Sequence, residues 1–416
     1  MRTGDVDYMK RVVVIGAGAA GTMAAIFAAQ GGAEVVLLER TRDGGRKILI
    51  SGGGRCNVLP SVLDETRFVT DSSPNTLRKM VRSWPLAEQV AFFEKEVGIP
   101  LVEEAESRKL FPASHKARDV RDGLLSLART RGVDVWFDTQ VVDITAVQSR
   151  WLVACADGQR VEADALIVAT GGLSVPMTGS DGTGLRILER LGHTMHATYA
   201  ALTPVTASPA PYADLSGISL SVDITATSGA RSATAHGGLL FTHHGYSGPS
   251  VLDVSHVVVR SRAEHDAKPA QLSVRWAPFT DDEWTTRLAP RGGRTVTGAI
   301  RAELPDRLAD ALIARAQVPA DRALSELTRD ERRQLIDMLV RGPLPWTSDE
   351  GYKKAEVTGG GVSLADVDPR TMESRRCAGL YLCGEVLDAF GPIGGYNFLW
   401  AWATGRAAGR GAATTR

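Results

Sequence analysis

The chain has 416 residues, with 48 Lys and Arg balanced by 48 Asp and Glu, 44% hydrophobic and 23% charged. That balance carries no electrostatic footprint for nucleic acid or an acidic membrane, and no apolar run of about 18 residues offers a membrane-spanning helix. Cys56, Cys155, Cys377 and Cys383 show neither CxxC pairing nor zinc spacing, so no metal is expected, and a reducing cytoplasm is the expected compartment. Residues 1–10 are polar, lack the apolar segment of a secretory leader, and are expected to be a frayed extension.

Residues 12–15 (Val-Val-Val-Ile) are a β-branched run, predicted as a buried strand. They enter Gly16-Ala17-Gly18-Ala19-Ala20-Gly21, an Ala-rich segment to Gln30, a Gly31-Gly32 stop, and a second strand ending at Glu39. This is a βαβ unit of about 30 residues carrying the dinucleotide fingerprint. Gly16 permits the tight turn, Gly18 lets the backbone reach a pyrophosphate, and Gly21 lets helix and strand approach. The helix start supplies free N–H groups and positive dipole. Glu39 stands where a carboxylate can accept both ribose hydroxyls. Residues 45–57 (GRKILISGGGRCN) then predict a glycine loop against a flat or charged ligand, with Arg46, Lys47 and Arg55 offsetting diphosphate charge.

Residues 74–98 are predicted helical, 106–112 a basic and aromatic loop, and 119–131 a helix. Strands are predicted at 133–137 and 140–144, with a hairpin of 151–156 and 161–163 turning at Asp157-Gly158. Residues 165–168 form a buried strand ending in Ala169-Thr170-Gly171-Gly172, as expected where a second crossover returns to the same crevice. Gly179, Asp181, Gly182 and Gly184 then form either a ligand turn or a plain N-cap for a helix through Leu185, Leu188 and Leu191.

From His193 the texture alternates apolar and small polar residues at 198–205, 215–227, 239–242 and 271–276, punctuated by Pro204, Pro209, Pro211 and Pro249. This predicts an antiparallel sheet or barrel. Residues 304–341 turn helical, with a capping-box pattern at Thr328 and Glu331 and a stop at Gly342-Pro343. An inserted β-rich domain is therefore expected at 191–354, with its helical piece at about 300–342, between cofactor segments at 1–190 and 355–416. The last segment has a strand at 379–383, Gly384-Glu385, and a glycine turn, residues 391–397, that opens a helix. This is a second cofactor half-site. The acid can hold a ribityl or ribose hydroxyl, and the helix start near Asn397 can face the electron-rich edge of a flavin.

With both ends read, the chain resembles the BaiN-like NAD(P)/FAD-dependent oxidoreductases, which include aminoacetone oxidase-type members. The matching pieces are Gly16 to Gly21, GRKILISGGGRCN, FTHHGYSGPSVLDVS at 241–255, TMES at 371–374 and GLYLCGEVLDAFGPIGGYN at 379–397. The resemblance implies an α/β fold: a Rossmann-like FAD-binding domain of glutathione-reductase-like type, interrupted by a β-barrel-like domain with a small helical piece. It implies non-covalent FAD at Gly16, Ala17, Gly18, Ala20, Gly21, Glu39, Arg46, Lys47, Gly53, Gly54 and Asn57. It further implies Val141 at the adenine, Thr170 and Gly171 near the diphosphate, and Gly384, Glu385, Gly395, Tyr396 and Asn397 along the ribityl chain and ring. Two positions depart from the family pattern: Leu399 precedes Trp400 in place of a Gln, and Val58-Leu59-Pro60 follows Asn57 in place of Thr-Asn.

A disulfide-relay flavoenzyme is disfavoured, since Cys56 has no partner cysteine in its loop. His243 and His244 are adjacent, so on a strand they would point to opposite faces and make no zinc site. One of them, with Tyr246, is the expected acid, base or substrate hook. The expected activity is hydride transfer between flavin and a small organic substrate, in the form of NAD(P)H-linked reduction of an activated C=C bond. NAD(P)H would dock transiently, because no second complete βαβ fingerprint is present. An amine oxidase producing hydrogen peroxide is the alternative. An FAD-binding RNA-modification protein is a third reading, against which the net charge of +0 speaks.

Overall fold

A computed structural model describes residues 9–264, 268–290 and 293–414; most of the expected N-terminal extension lies outside them. The chain divides into two compact units, 1–198 with 357–416, and 199–356. The first unit is built on β1 (Arg11–Ile15), α1 (Ala19–Gln30), β2 (Glu34–Leu38), α2 (Arg46–Ile50), β3 (Asp134–Trp136), β4 (Ala165–Val168), α3 (Thr183–Arg190), β5 (Val357–Val362), β6 (Leu380–Leu382) and α4 (Tyr396–Ala413).

Five of these strands form one parallel sheet in the order β6-β4-β1-β2-β3. Val12, Val13 and Val14 are wholly buried there, as a parallel sheet covered on both faces requires. The chain runs outward from β1 to β2 and β3, then returns to β1's other side as β4. The carboxyl ends of β1 and β4 therefore flank a topological switch point, the crevice where α/β sheets place ligands. α1 and α4 lie side by side on the sheet. A Cβ on Gly405 would stand 2.4 Å from the Ala20 carbonyl oxygen, and one on Gly409 2.2 Å from that of Ala24. The two helices meet backbone to backbone.

Local expectations failed where packing overruled propensity. The predicted helix at 74–98 is two helices, Pro74–Arg82 and Leu86–Lys95, because Pro85 cannot continue the first. Residues 109–112 of the expected loop form a strand, paired with Leu101–Glu104 and Leu59–Pro60. Residues 46–50 wind into α2, and 51–54 into a short left-handed turn with Gly52 and Gly53 at positive φ.

The second unit carries a seven-stranded antiparallel sheet, ordered Gly342–Pro343, Gln271–Arg275, Ser219–Ser228, Arg231–Thr242, Gly245–Ser247, Val205–Thr206 and Ser348–Asp349. It is an open sheet with two short edge strands, the sheet of the two forms that the alternation predicted, without the closure of the barrel-like domain that the resemblance implied. Its inner face is covered by a helix, Pro249–Ala263, a stretch to which the sequence reading gave no element. Pro249 sits at the helix start, where its missing N–H costs nothing, and burial of Val251, Val254, Val257 and Val258 outweighs their preference for strands. Capping boxes at Thr280/Glu283 and Thr328/Glu331 start two of the unit's helices.

Replacing Gly409 by Val should destabilise the protein by about 3 kcal/mol, since the side chain would force two backbones apart. Arg410→Ala, on the exposed side of the same turn, should stay within about 1 kcal/mol. Urea unfolding of both variants checks this.

Candidate functional site

The fingerprint glycines have three different environments. Gly16 has φ +101, and a Cβ there would stand 2.6 Å from the Ala169 carbonyl oxygen; one on Gly21 would strike that of Gly16 at 1.8 Å. A Cβ on Gly18 would meet open space. Thus Gly16 makes the turn, Gly21 closes it against β1, and Gly18 leaves its face open to a ligand. No side chain caps α1, and no acid lies in its first turn, so its amides and dipole are available to an anion.

Glu39 ends β2, 8% exposed. Oε2 accepts from Ala17 N at 2.8 Å, while Oε1 accepts from Thr41 N at 2.8 Å and Thr41 Oγ1 at 2.7 Å. A carboxylate has about four acceptor sites, and here three are used by the chain. One remains for a ribose hydroxyl, fewer than the two the sequence reading assigned.

The expected cations also hold internal partners. Arg46 Nε donates to Asp43 Oδ1 at 2.8 Å, and its hydrogen bond is the main cause of the lowered Asp43 pKa. Arg55 stacks its guanidinium over Phe111, 4.3 Å from the ring centre, and pairs with Glu104. Lys47 Nζ donates to Glu385 Oε2 at 2.6 Å and to Ser174 Oγ at 2.6 Å. Glu385 Oε1 in turn accepts from Ser174 Oγ at 2.7 Å and Thr358 N at 3.0 Å. Burial acts to raise the Glu385 pKa; the Lys47 charge and these hydrogen bonds outweigh it and hold the carboxyl below its ordinary range. The pair is one-quarter exposed at Lys47 and 18% at Glu385.

Thr170 and Gly171 lie just past β4, at the switch point. The Thr170 hydroxyl oxygen is buried with no hydrogen-bond partner in the protein, and Gly171 turns at φ +73. Gly384 follows β6; its N–H donates to Thr404 Oγ1 at 3.0 Å, its carbonyl accepts from Trp400 Nε1 at 3.1 Å, and a Cβ on it would reach Ala20. Val141 is buried at the start of the neighbouring hairpin sheet, opposite Cys155.

At the other end, α4 starts without a side-chain cap or first-turn acid. Asn57, its amide oriented by its partners, donates to Leu59 O at 3.3 Å and accepts from Gly395 N at 2.9 Å. Asn397 closes a ring with Gly391, taking its N–H and donating to its carbonyl, both at 2.9 Å. The Tyr396 hydroxyl accepts from Asp64 N at 3.2 Å. These three side chains build the loop instead of reaching outward. Gly53 and Gly54 are exposed at positive φ. Cys56 is fully buried, and burial pushes its thiol up to about 12. Leu399, one departure from the family pattern, is core.

These residues fit FAD. Two uncapped helix starts suit a pyrophosphate and the electron-rich edge of a flavin ring, the Thr170 hydroxyl lacks a partner, and Glu39 and Glu385 stand at strand ends where hydroxyls can donate. Ser174, Thr358 and Thr41 were not anticipated: Ser174 and Thr358 meet Glu385 only in the folded chain, whereas Thr41 lies two residues from Glu39 and bonds it locally.

In the second unit, His243 and His244 are exposed and form the two-residue turn between Arg231–Thr242 and Gly245–Ser247, not part of a strand. Tyr246 does not fit an acid, base or substrate hook. It is 1% exposed among Tyr212 and Phe241, its hydroxyl donates to Pro345 O at 2.9 Å, and burial raises its pKa.

The family described as HI0933-like protein Rossmann domain matches residues 10–411. The chain is 31% identical to the 3-dehydro-bile acid delta(4,6)-reductase of Clostridium scindens, over 97% of this chain and 99% of that one. It is also 31% identical to the ribosomal RNA dihydrouridine synthase of Escherichia coli, over 94% and 95%. Among solved structures, 3-ketosteroid delta1-dehydrogenase from Sterolibacterium denitrificans aligns with TM-score 0.52 and 13% identity, covering 97% of this chain and all of that one. A flavocytochrome c3 fumarate reductase in an open conformation aligns at TM-score 0.50 and 16% identity, covering 98% and 78%. At these identities the two structures establish the fold alone.

Lys47→Met leaves Glu385 without its counter-charge and should cost about 1–3 kcal/mol, with part of the loss recovered in the double variant carrying Glu385→Gln. Because the folded Glu385 pKa is lowered, its stabilisation is present above the unfolded carboxylate value and disappears as pH falls through the folded one. Wild-type melting temperature should therefore fall more steeply below about pH 4 than that of Glu385→Gln. Tyr246→Phe should cost about 1 kcal/mol in urea unfolding and leave turnover within about threefold, that is, under 0.7 kcal/mol of barrier.

Proposed function

The chain belongs to the HI0933-like Rossmann-domain family and is an FAD-dependent oxidoreductase; from that premise we propose that it reduces a C=C bond conjugated to a carbonyl in a small organic molecule, with NAD(P)H docking transiently as the electron source. The observation that carries this reading is the pair of full-length relatives. One is named for reducing a 3-dehydro-bile acid at delta(4,6), the other for making dihydrouridine. Both names describe the same change, saturation of a C=C bond conjugated to a carbonyl.

FAD, when bound, supplies the hydride chemistry. The chain's part is binding, orientation and proton supply. Gly18 and the start of α1 would hold the pyrophosphate, Glu39 and Glu385 would accept hydroxyl hydrogen bonds, and the uncapped start of α4 would serve the flavin ring. Lys47 keeps Glu385 ionised, so that carboxylate remains an acceptor at neutral pH. Saturation of a conjugated C=C bond also needs a proton at the carbon next to the carbonyl. The four free cysteines support a reducing compartment such as the cytoplasm.

The E. coli relative's name favours a second reading, in which the conjugated bond belongs to a uracil ring within RNA. The balanced charge of the chain supports the small molecule as first choice.

Anaerobic titration of the FAD-loaded protein tests both. NADH or NADPH should bleach the visible flavin band, and a 3-oxo-Δ4 steroid should restore it without oxygen. Recovery with a uridine-containing ribosomal RNA transcript but no enone would move the assignment to RNA. A band that no nicotinamide bleaches, but small amines do, would overturn the reductase reading.

A further inference from the structure

Asp388 lies three residues beyond Glu385 and is 1% exposed. Its Oδ2 accepts from Asp71 N at 2.9 Å, Ser72 N at 2.8 Å, Ser72 Oγ at 2.8 Å and Thr70 Oγ1 at 2.9 Å. His196 Nε2 stands 3.6 Å from the same oxygen and 3.2 Å from Ser72 Oγ. Ser72 Oγ donates to the carboxylate and accepts from Leu364 N at 3.0 Å, with Ser363 Oγ 3.4 Å away. Nothing in the cofactor chemistry described above uses this group, yet a buried carboxylate is retained only where it is well bonded.

Its place in the chain indicates what it does. Residues 57–72 run along residues 388–396 as one seam. Asp388 is held at 70–72, Phe390 pairs with Val69 in both directions at 2.8 and 3.1 Å, the Tyr396 ring meets Phe68, and Gly395 N meets Asn57. The seam ends at the start of α4. We propose that Asp388 is a positioning residue for the flavin-facing start of α4, anchoring the far end of the seam that sets where that helix begins. This rests on the reading that FAD lies against α4. The helix-start field falls away within the first turn, so its effect on the ring depends on that placement. Reduction adds electron density to the ring, and a displaced helix start weakens binding of the reduced form more than the oxidised form.

The test compares Asp388→Asn and Ser72→Ala with wild type in the full, FAD-loaded chain. FAD dissociation is measured by flavin fluorescence, the two-electron potential by equilibration with reference dyes, and stability by melting of the FAD-free protein. Asp388→Asn should bind reduced FAD about tenfold more weakly relative to oxidised FAD, a drop of about 30 mV. Ser72→Ala, which keeps the carboxylate, should move the potential in the same direction by less, and it decides the matter if Asp388→Asn does not fold. Potentials unchanged in every variant that folds, with both flavin forms weakened equally or not at all, would overturn the role. A wild-type protein that takes up no FAD would instead overturn the cofactor reading on which it rests.

Discussion

The Lys47–Glu385 ion pair is the interaction on which the cofactor cradle depends. Two charges taken largely out of water are tolerable only when each is paired and hydrogen-bonded. Here Ser174 bonds both partners and the Thr358 amide completes the carboxylate. The four residues come from α2, the turn after β4, β5 and the turn after β6, so one polar knot holds four separate stretches of chain in register. The carboxylate stays ionised because it is held this way, and so keeps an acceptor for the hydroxyl-bearing ligand proposed at that position.

Around that knot, the cradle relies on backbone more than on side-chain charge. Arg46 is neutralised by Asp43 and Lys47 by Glu385, so neither brings an unmatched charge to a pyrophosphate. On the proposed reading, compensation at a pyrophosphate would fall to the uncapped start of α1. Helix starts can serve only if ligand and backbone come close. That is why Gly18 faces open space, and why Gly405 and Gly409 let α4 lie directly on α1. The same closeness sets Gly405 of α4 beside the first turn of α1.

What the sequence disclosed follows from how local each cause is. The βαβ fingerprint, the strand-end acids and the Thr328 capping box are written within a few residues, and each was readable. The Pro249–Ala263 helix was missed because its valines favour a strand when taken alone, and only the sheet they cover makes a helix the better state. Lys47 could be named a cofactor residue, but its partner lies 338 residues away, and no spacing rule reaches that far. Tyr246 sits in a family-like block that pointed towards chemistry. Its environment is an aromatic core.

The exposed His243-His244 turn and the buried Tyr246 next to it show why a shared motif fixes the cofactor more firmly than the substrate. The cofactor positions proposed here are backbone features: glycine turns, helix starts and strand ends, which any chain with this topology must reproduce. Proton donors and substrate contacts are side chains on turns, where one residue's change in exposure separates a reactive group from a packed one. Relatives named for a bile acid and for a ribosomal uridine can therefore share one cradle at equal identity. On the proposed reading the conjugated bond is what the two names have in common, and it would ask little of the cradle beyond a well-placed ring. The choice of molecule carrying that bond is left to residues outside the cradle.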